Sequence, residues 1–229
     1  MIKLCPSIIC SDLLNLEKEI EKCNDNKVDF IHFDISDTSF VPMIMLYPGL
    51  IEQIKKKTTI PLDIHLMVNQ PDKILPYLLQ VTDESDYITI HKEAAVSNLS
   101  TYIEIIKQAG KKAGVAINIS SGLDGLQYII HRIDSITVLN GVAGTPPKCY
   151  CEDQTVRKIS EVKKMIEENN NDHCFISVDG GVNFVNSLKF RDAGCEAFVL
   201  GTNTVYKVGT IFEEQVKKYR EIMEVNNDK

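Results

Sequence analysis

No apolar run in the 229-residue chain approaches the roughly 18 residues needed to cross a bilayer, so no membrane span is expected. The opening stretch MIKLCPSIIC turns polar too quickly for a secretory signal. Cysteine is neither dense nor even in number. Seven thiols scattered along the chain argue against a disulfide framework and for a reducing compartment, so a cytoplasmic location is expected. Positive charge is in deficit: 25 Lys and Arg face 32 Asp and Glu, and the formal charge of −7 disfavours nucleic acid as the main partner. A phosphorylated small molecule stays open, because backbone amides at helix N-termini bind phosphate without net positive charge. Low-complexity segments and short-period repeats are also missing. What is present is ordinary for a globular protein, at 44% hydrophobic and 25% charged residues.

Short β-branched runs alternate with amphipathic stretches from end to end. KLCPSII, DFIHFDI, PLDIHLMV, DYITIHKE, KAGVAINI, SITVLNGV, CFISVDGGV and EAFVLGTN read as strands. Between them, SDLLNLEKEIEKC reads as a helix with Ser11 or Asp12 at its N-cap, and PGLIEQIKKK as another with Pro48 in its first turn. PDKILPYLLQ should be kinked or shortened by Pro76. NLSTYIEIIKQAG, GLDGLQYIIHRI, CEDQTVRKISEVKKMIEEN, NFVNSLKFRDAG and a last stretch from about Thr210 to Met223 complete the set. Strands that alternate with helices imply a parallel sheet covered on both faces. Eight such units without a composition break predict a single (β/α)8 TIM barrel over residues 1–229, with a doubly wound open sheet as the alternative.

Barrel active sites lie at the C-terminal ends of the strands. There the sequence sets Ser7, His32, Asp34, His65, His91, Asn140, Asp179 and the pair Gly201-Thr202. His32 and Asp34 alternate with Ile31, Phe33 and Ile35, so on a strand both point to one face. A buried, unpaired carboxylate there would be costly. Two imidazoles and two carboxylates, from His32, Asp34, His65 and Asp179, suit one divalent cation such as zinc, iron, manganese or cobalt. The alternative is a hydrogen-bonded polar cluster without metal. DGG at 179–181 and GTN at 201–203 end adjacent strands just before helices, where glycine lets backbone N–H groups approach a phosphate. Asp37 falls one residue out of the alternation and is expected to orient the following loop or meet solvent.

Taken in order, CPSIICSDLLNLEKEI, IHFDISDTSFVP, PLDIHLMV, ITIHKE, GVAINI, SVDGGV and FVLGTNTVY resemble the ribulose-phosphate 3-epimerase family, with its relatives acting on allulose 6-phosphate, across essentially the whole chain. The resemblance implies a metal-dependent epimerase that inverts C3 of a ketose phosphate, ribulose 5-phosphate/xylulose 5-phosphate or a relative. It implies that Asp34 and Asp179 are the paired acid/base carboxylates, and that His32, Asp34, His65 and Asp179 ligate the metal. It further implies that Ser7, His65 and Met67 contact substrate, that Gly181, Gly201 and Thr202 bind phosphate, and that the protein forms homo-oligomers.

The match breaks in three places. Ser36 and Thr38 stand where the family has methionine and glycine, so a pocket wall differing at Ser36 and Leu139 is expected. LNGVAGTPPKCY replaces a glycine-rich lid, placing Pro146-Pro147 and Lys148 where two glycines and a glutamine are usual. Prolines donate no N–H, so Lys148 is expected to supply charge to phosphate instead. GVAINISSGL lacks the Asn-Pro-x-Thr-Pro turn. These changes spare the acid/base set and suggest a shifted substrate. Two other readings are a phosphate-binding barrel lyase (decarboxylase or aldolase) and a non-catalytic sugar-phosphate-binding paralogue. The lyases carry Asp-x-Lys at a strand end, which DIS and DIH do not match.

Overall fold

The computed structural model describes residues 2–144 and 150–224. Eight parallel strands form the barrel wall: β1 (Lys3–Pro6), β2 (Ile31–Ser36), β3 (Leu62–Met67), β4 (Tyr87–His91), β5 (Lys112–Ile117), β6 (Ser135–Leu139), β7 (Phe175–Asp179) and β8 (Ala197–Leu200). Each pairs with its neighbour in sequence from β2 to β8, and β8 pairs with β1. The β1–β2 seam is closed more sparsely, by one parallel bridge between Ser7 and His32 and by Leu4 O accepting from the N–H groups of Asp29 and Phe30. The expected TIM barrel is therefore the observed fold.

Seven α-helices surround it among the described residues: α1 (Leu16–Asp25), α2 (Leu50–Lys55), α3 (Pro71–Val81), α4 (Leu99–Gln108), α5 (Glu152–Glu168), α6 (Asn186–Ala193) and α7 (Phe212–Glu224). Ile31, Phe33 and Ile35 of β2 share one apolar core with Ile20 and Cys23 of α1 and Ile51 and Ile54 of α2. Polar His32 and Asp34 consequently face inward. Asp12 caps the turn ahead of α1 by accepting from Leu14 N–H.

Two expectations need correction. The stretch GLDGLQYIIHRI forms no α-helix but two 3₁₀ turns, Leu126–Tyr128 and Ile130–Arg132. Gly125, left-handed at φ +85°, breaks the run before a helical register is established. The loop after β5 is instead pinned by Lys158 of α5, whose ammonium donates to the carbonyls of Asn118, Ile119 and Ser121 at 2.8, 2.6 and 2.5 Å. Of the kink or shortening expected at Pro76, the shortening does not occur; Pro76 lies inside α3, which runs on to Val81, held by buried Leu75 and Leu78. Residues 145–149, with Pro146, Pro147 and Lys148, lie outside the described residues.

Candidate active site

Strand register assembles the site. Asp34 lies opposite His65 in the β2–β3 ladder, and Leu139 opposite Asp179 in the β6–β7 ladder. Inside the barrel, one ligand atom from each of His32, Asp34, His65 and Asp179 comes within 4.8 Å of the others. Both histidines are fully buried, and the Asp179 side chain is 21% exposed.

The hydrogen bonds orient each donor. Ser7 Oγ donates to Asp34 Oδ2 at 2.9 Å. His32 presents Nε2 to Asp34 Oδ1 at 3.2 Å and Nδ1 to Asp63 Oδ2 at 2.8 Å. His65 presents Nδ1 to Asp34 Oδ1 at 3.3 Å and to Asp179 Oδ2 at 3.6 Å. Its other nitrogen, Nε2, meets His91 Nε2 at 2.8 Å, and His91 Nδ1 meets Glu93 Oε2 at 3.0 Å. Each histidine of the cluster thus turns one nitrogen toward the carboxylates and has the other occupied from behind.

This donor set fits a divalent cation. Nitrogen and oxygen ligands sit about 2.0–2.2 Å from such an ion. Donors already within 4.8 Å of one another need only a small inward shift to share it. His32 Nε2, His65 Nδ1 and the carboxylates of Asp34 and Asp179 would hold it.

The two carboxylates differ electrostatically. Burial works against the charge of Asp34, but His32 and His65 outweigh it and hold that carboxyl far below the usual range. Burial pushes Asp179 up, and the Asp34 carboxylate adds to the rise against the pull of His32 and His65. Burial also opposes a charged His32, yet Asp34 and Asp63 overcome it and raise its pKa well above the usual value. His91 goes the other way: burial lowers it to about 4, against the upward pull of Glu93. A carboxylate pair with pKa values driven apart is the pattern that acid/base chemistry requires.

A cavity of about 500 Å³ opens above this cluster, lined by Ser7, Asp34, Met67, Asp179, Gly181, Gly201 and Thr202; His65, also expected to contact substrate, is fully buried and does not line it. Gly181 sits at φ +61° under the ring of Tyr150, which an added Cβ would overlap. The Gly180 carbonyl accepts from Asn140 Nδ2 at 2.9 Å. Because C=O and N–H oppose each other across a trans peptide, the Gly181 N–H is turned away from Asn140. Gly201 O accepts from the N–H groups of Thr204 and Tyr206, both at 3.1 Å, which likewise turns the Thr202 N–H outward.

The expected wall needs a correction at Ser36. Its hydroxyl donates to Met43 O at 2.9 Å, and Met43 and Met45 from the following loop line the cavity beside Met67 and Leu139. Asp37 behaves as expected, accepting from the N–H groups of Ser39, Phe40 and Asn69 at 2.9, 2.8 and 3.1 Å. Two carboxylates behind the histidines, Asp63 and Glu93, were not anticipated. Asp63 carried a signal, lying two residues before His65 and so on the same strand face. Glu93 lies beyond the end of β4, where alternation no longer applies.

Two histidines and two carboxylates close enough to hold a divalent cation, set at the strand ends of a TIM barrel beside a cavity, define a candidate enzyme site. A sequence model described as the ribulose-phosphate 3 epimerase family matches residues 3–206. The ribulose-phosphate 3-epimerase of Bacillus subtilis is 32% identical over 202 residues, covering 88% of this chain and 91% of that protein. That of Methanocaldococcus jannaschii is 36% identical over 199 residues, covering 87% and 82%. The chain belongs to the ribulose-phosphate 3-epimerase family and is an isomerase of the racemase and epimerase class. Two solved barrels, each under 25% identical, resemble it in fold. KGPDC from Streptococcus mutans gives a TM-score of 0.68 at 11% identity, covering 97% of both chains. The 3-hexulose-6-phosphate synthase from Salmonella typhimurium gives 0.66 at 18%, covering 97% and 98%. No helix among the described residues is long and apolar enough to cross a membrane.

Proposed function

We propose that the protein inverts C3 of a phosphorylated ketose, ribulose 5-phosphate/xylulose 5-phosphate or a close relative, with one of Asp34 and Asp179 taking the C3 proton and the other delivering a proton to the opposite face. The observation that carries this reading is the convergence of Asp34 and Asp179 with His32 and His65, ligand atoms within 4.8 Å of one another, at the floor of one cavity. Removing the proton beside a carbonyl leaves an enediolate, and returning a proton to the other face requires a second carboxyl group from a separate strand. A divalent cation held by His32, Asp34, His65 and Asp179 would supply Lewis-acid stabilisation of that negative charge.

In one direction Asp34 is the base and Asp179 the acid, and in the other direction the roles exchange. Ser7, donating to Asp34 Oδ2, fixes the carboxylate and leaves Oδ1 toward the histidines. Met67 and the loop residues Met43 and Met45 supply an apolar wall that limits water around the reacting carbon. Gly181, Gly201 and Thr202 offer backbone N–H groups to the phosphate, without any lysine or arginine among the cavity-lining residues described.

Exchange of the C3 proton with deuterated solvent tests the assignment. Asp34→Asn and Asp179→Asn should each lower epimerisation by on the order of 10²–10⁴-fold while the fold persists. A variant with near wild-type turnover would show that its carboxylate carries no proton.

A further inference from the structure

The geometry points to Glu93 and His91 as positioning residues that fix the tautomer of His65, holding its Nδ1 as the lone pair a cation needs. The inference rests on the reading of His65 as a metal ligand. It adds two residues that touch neither substrate nor metal.

Donors and acceptors set the tautomers. A neutral imidazole has one N–H and one lone pair, so a chain of imidazoles carries a direction. Glu93 sets that direction at the outer end. Its Oε2 lies 3.0 Å from His91 Nδ1, and an ionised carboxylate can only accept, so His91 must hold its proton on Nδ1. His91 Nε2 is then a lone pair, 2.8 Å from His65 Nε2. A separation that short requires one proton between the two nitrogens, and His65 must provide it. With its proton on Nε2, His65 has a lone pair on Nδ1, the atom that faces Asp34 and Asp179 at 3.3 and 3.6 Å. The rings of His65 and His91 lie within 26° of coplanar, which suits an edge-to-edge hydrogen bond. Phe40 covers His91 with ring centroids 4.7 Å apart, and both histidines are fully buried, so water offers no competing partner. Glu93 is itself fixed, because its Oε1 accepts the Asn118 N–H at 2.8 Å.

Glu93→Gln is therefore more than removal of a charge. The carboxylate also meets the Ser121 hydroxyl, which can rotate to donate or accept, so the amide's one oxygen faces the competing demands of the Asn118 N–H and His91. The Asn118 N–H cannot become an acceptor, whereas an imidazole can change tautomer. The amide oxygen goes to Asn118 and the NH₂ turns to His91 Nδ1. His91 then presents N–H at Nε2, and His65 must receive it, which moves the His65 proton onto Nδ1. An isosteric change two histidines away closes the ligand atom.

The test uses the full chain and Zn²⁺ as probe, with affinity read by competition against a chromogenic chelator. Relative to wild type, E93Q should bind roughly 10–100-fold more weakly, the range for loss of an outer-shell partner, while the metal-free proteins melt alike. Imidazole nitrogen NMR of the Zn²⁺-loaded wild type should show protons on His65 Nε2 and His91 Nδ1, a readout that needs no variant to fold. Wild-type affinity in E93Q, or a loaded wild type with the His91 proton on Nε2, overturns the relay. His65→Ala runs alongside: if it binds Zn²⁺ as wild type does, the metal-site reading itself fails. Loss of binding in His65→Ala with none in E93Q sinks the relay alone.

Discussion

The two ends of the barrel interior are built from the same eight strands, yet they hold opposite kinds of residue. At the N-terminal ends, Phe30, Tyr87 and Phe175 form an aromatic plug, with ring centroids 5.3, 5.8 and 5.4 Å apart and Lys3 over the Phe175 face at 4.5 Å. Cys5 and Ala197 fill in around them. At the C-terminal ends the same inward positions carry Ser7, His32, Asp34, His65, His91 and Asp179. The plug gains from removing apolar area from water, at about 25 cal/mol per Å². The rim bears the desolvation of five ionisable groups and offsets it through hydrogen bonds among them and with Ser7, Asp63 and Glu93. The N-terminal end thus serves stability and the C-terminal end serves chemistry, so changes at the two ends should separate stability from activity.

The largest separation is expected in His65→Ala. It should lower divalent-metal affinity beyond the roughly 10–100-fold typical of outer-shell partners, while the metal-free melting temperature stays near wild type; metal content after dialysis checks it. Phe175→Ala is the converse. It should lower stability by about 3–5 kcal/mol, the range for aromatic truncation in a core, and leave turnover per folded molecule unchanged, as urea titration and active-site counting would show.

Acidity should also act on the rim before it acts on the plug. The His91 pKa of about 4 lies below the ordinary 6.5 of an unfolded histidine. Between those values the unfolded chain binds more protons, so stability is full above about 6.5 and declines as pH falls toward about 4. Urea midpoints measured across that window in metal-free protein should fall less steeply in His91→Phe than in wild type. The smallest effect is expected at Asn140→Ala, which frees the Gly180 carbonyl. Asn140 also accepts from Thr155 Oγ1, so two neutral hydrogen bonds of roughly 1 kcal/mol each are lost, and the one to Gly180 should appear as a higher KM for phosphorylated ketoses only. An equal rise for unphosphorylated analogues would detach Asn140 from the phosphate site.

Much of this arrangement is legible in the sequence because a strand has period two. His32 and Asp34 had to share a face, Asp37 had to leave it, and Ile31, Phe33 and Ile35 had to meet the helices. The strand count and the position of each polar residue at a strand end likewise follow from local pattern. Even the strand-end glycines reflect a local need, since Gly181 adopts a left-handed backbone. The remainder came from contacts between distant parts of the chain. The partners of the histidines come from other strands: Asp63 reaches His32 across 31 residues of sequence, and His91 reaches His65 across 26. Those meetings depend on inter-strand register, which no single strand encodes. Met43 and Met45 reach the cavity wall because a loop folds back over Ser36, and the helix expected after β5 gives way to turns at Gly125. Local pattern set which face each side chain takes; closure of the barrel set which side chains from distant strands meet on it, because hydrogen bonds between imidazoles and carboxylates require contact in space.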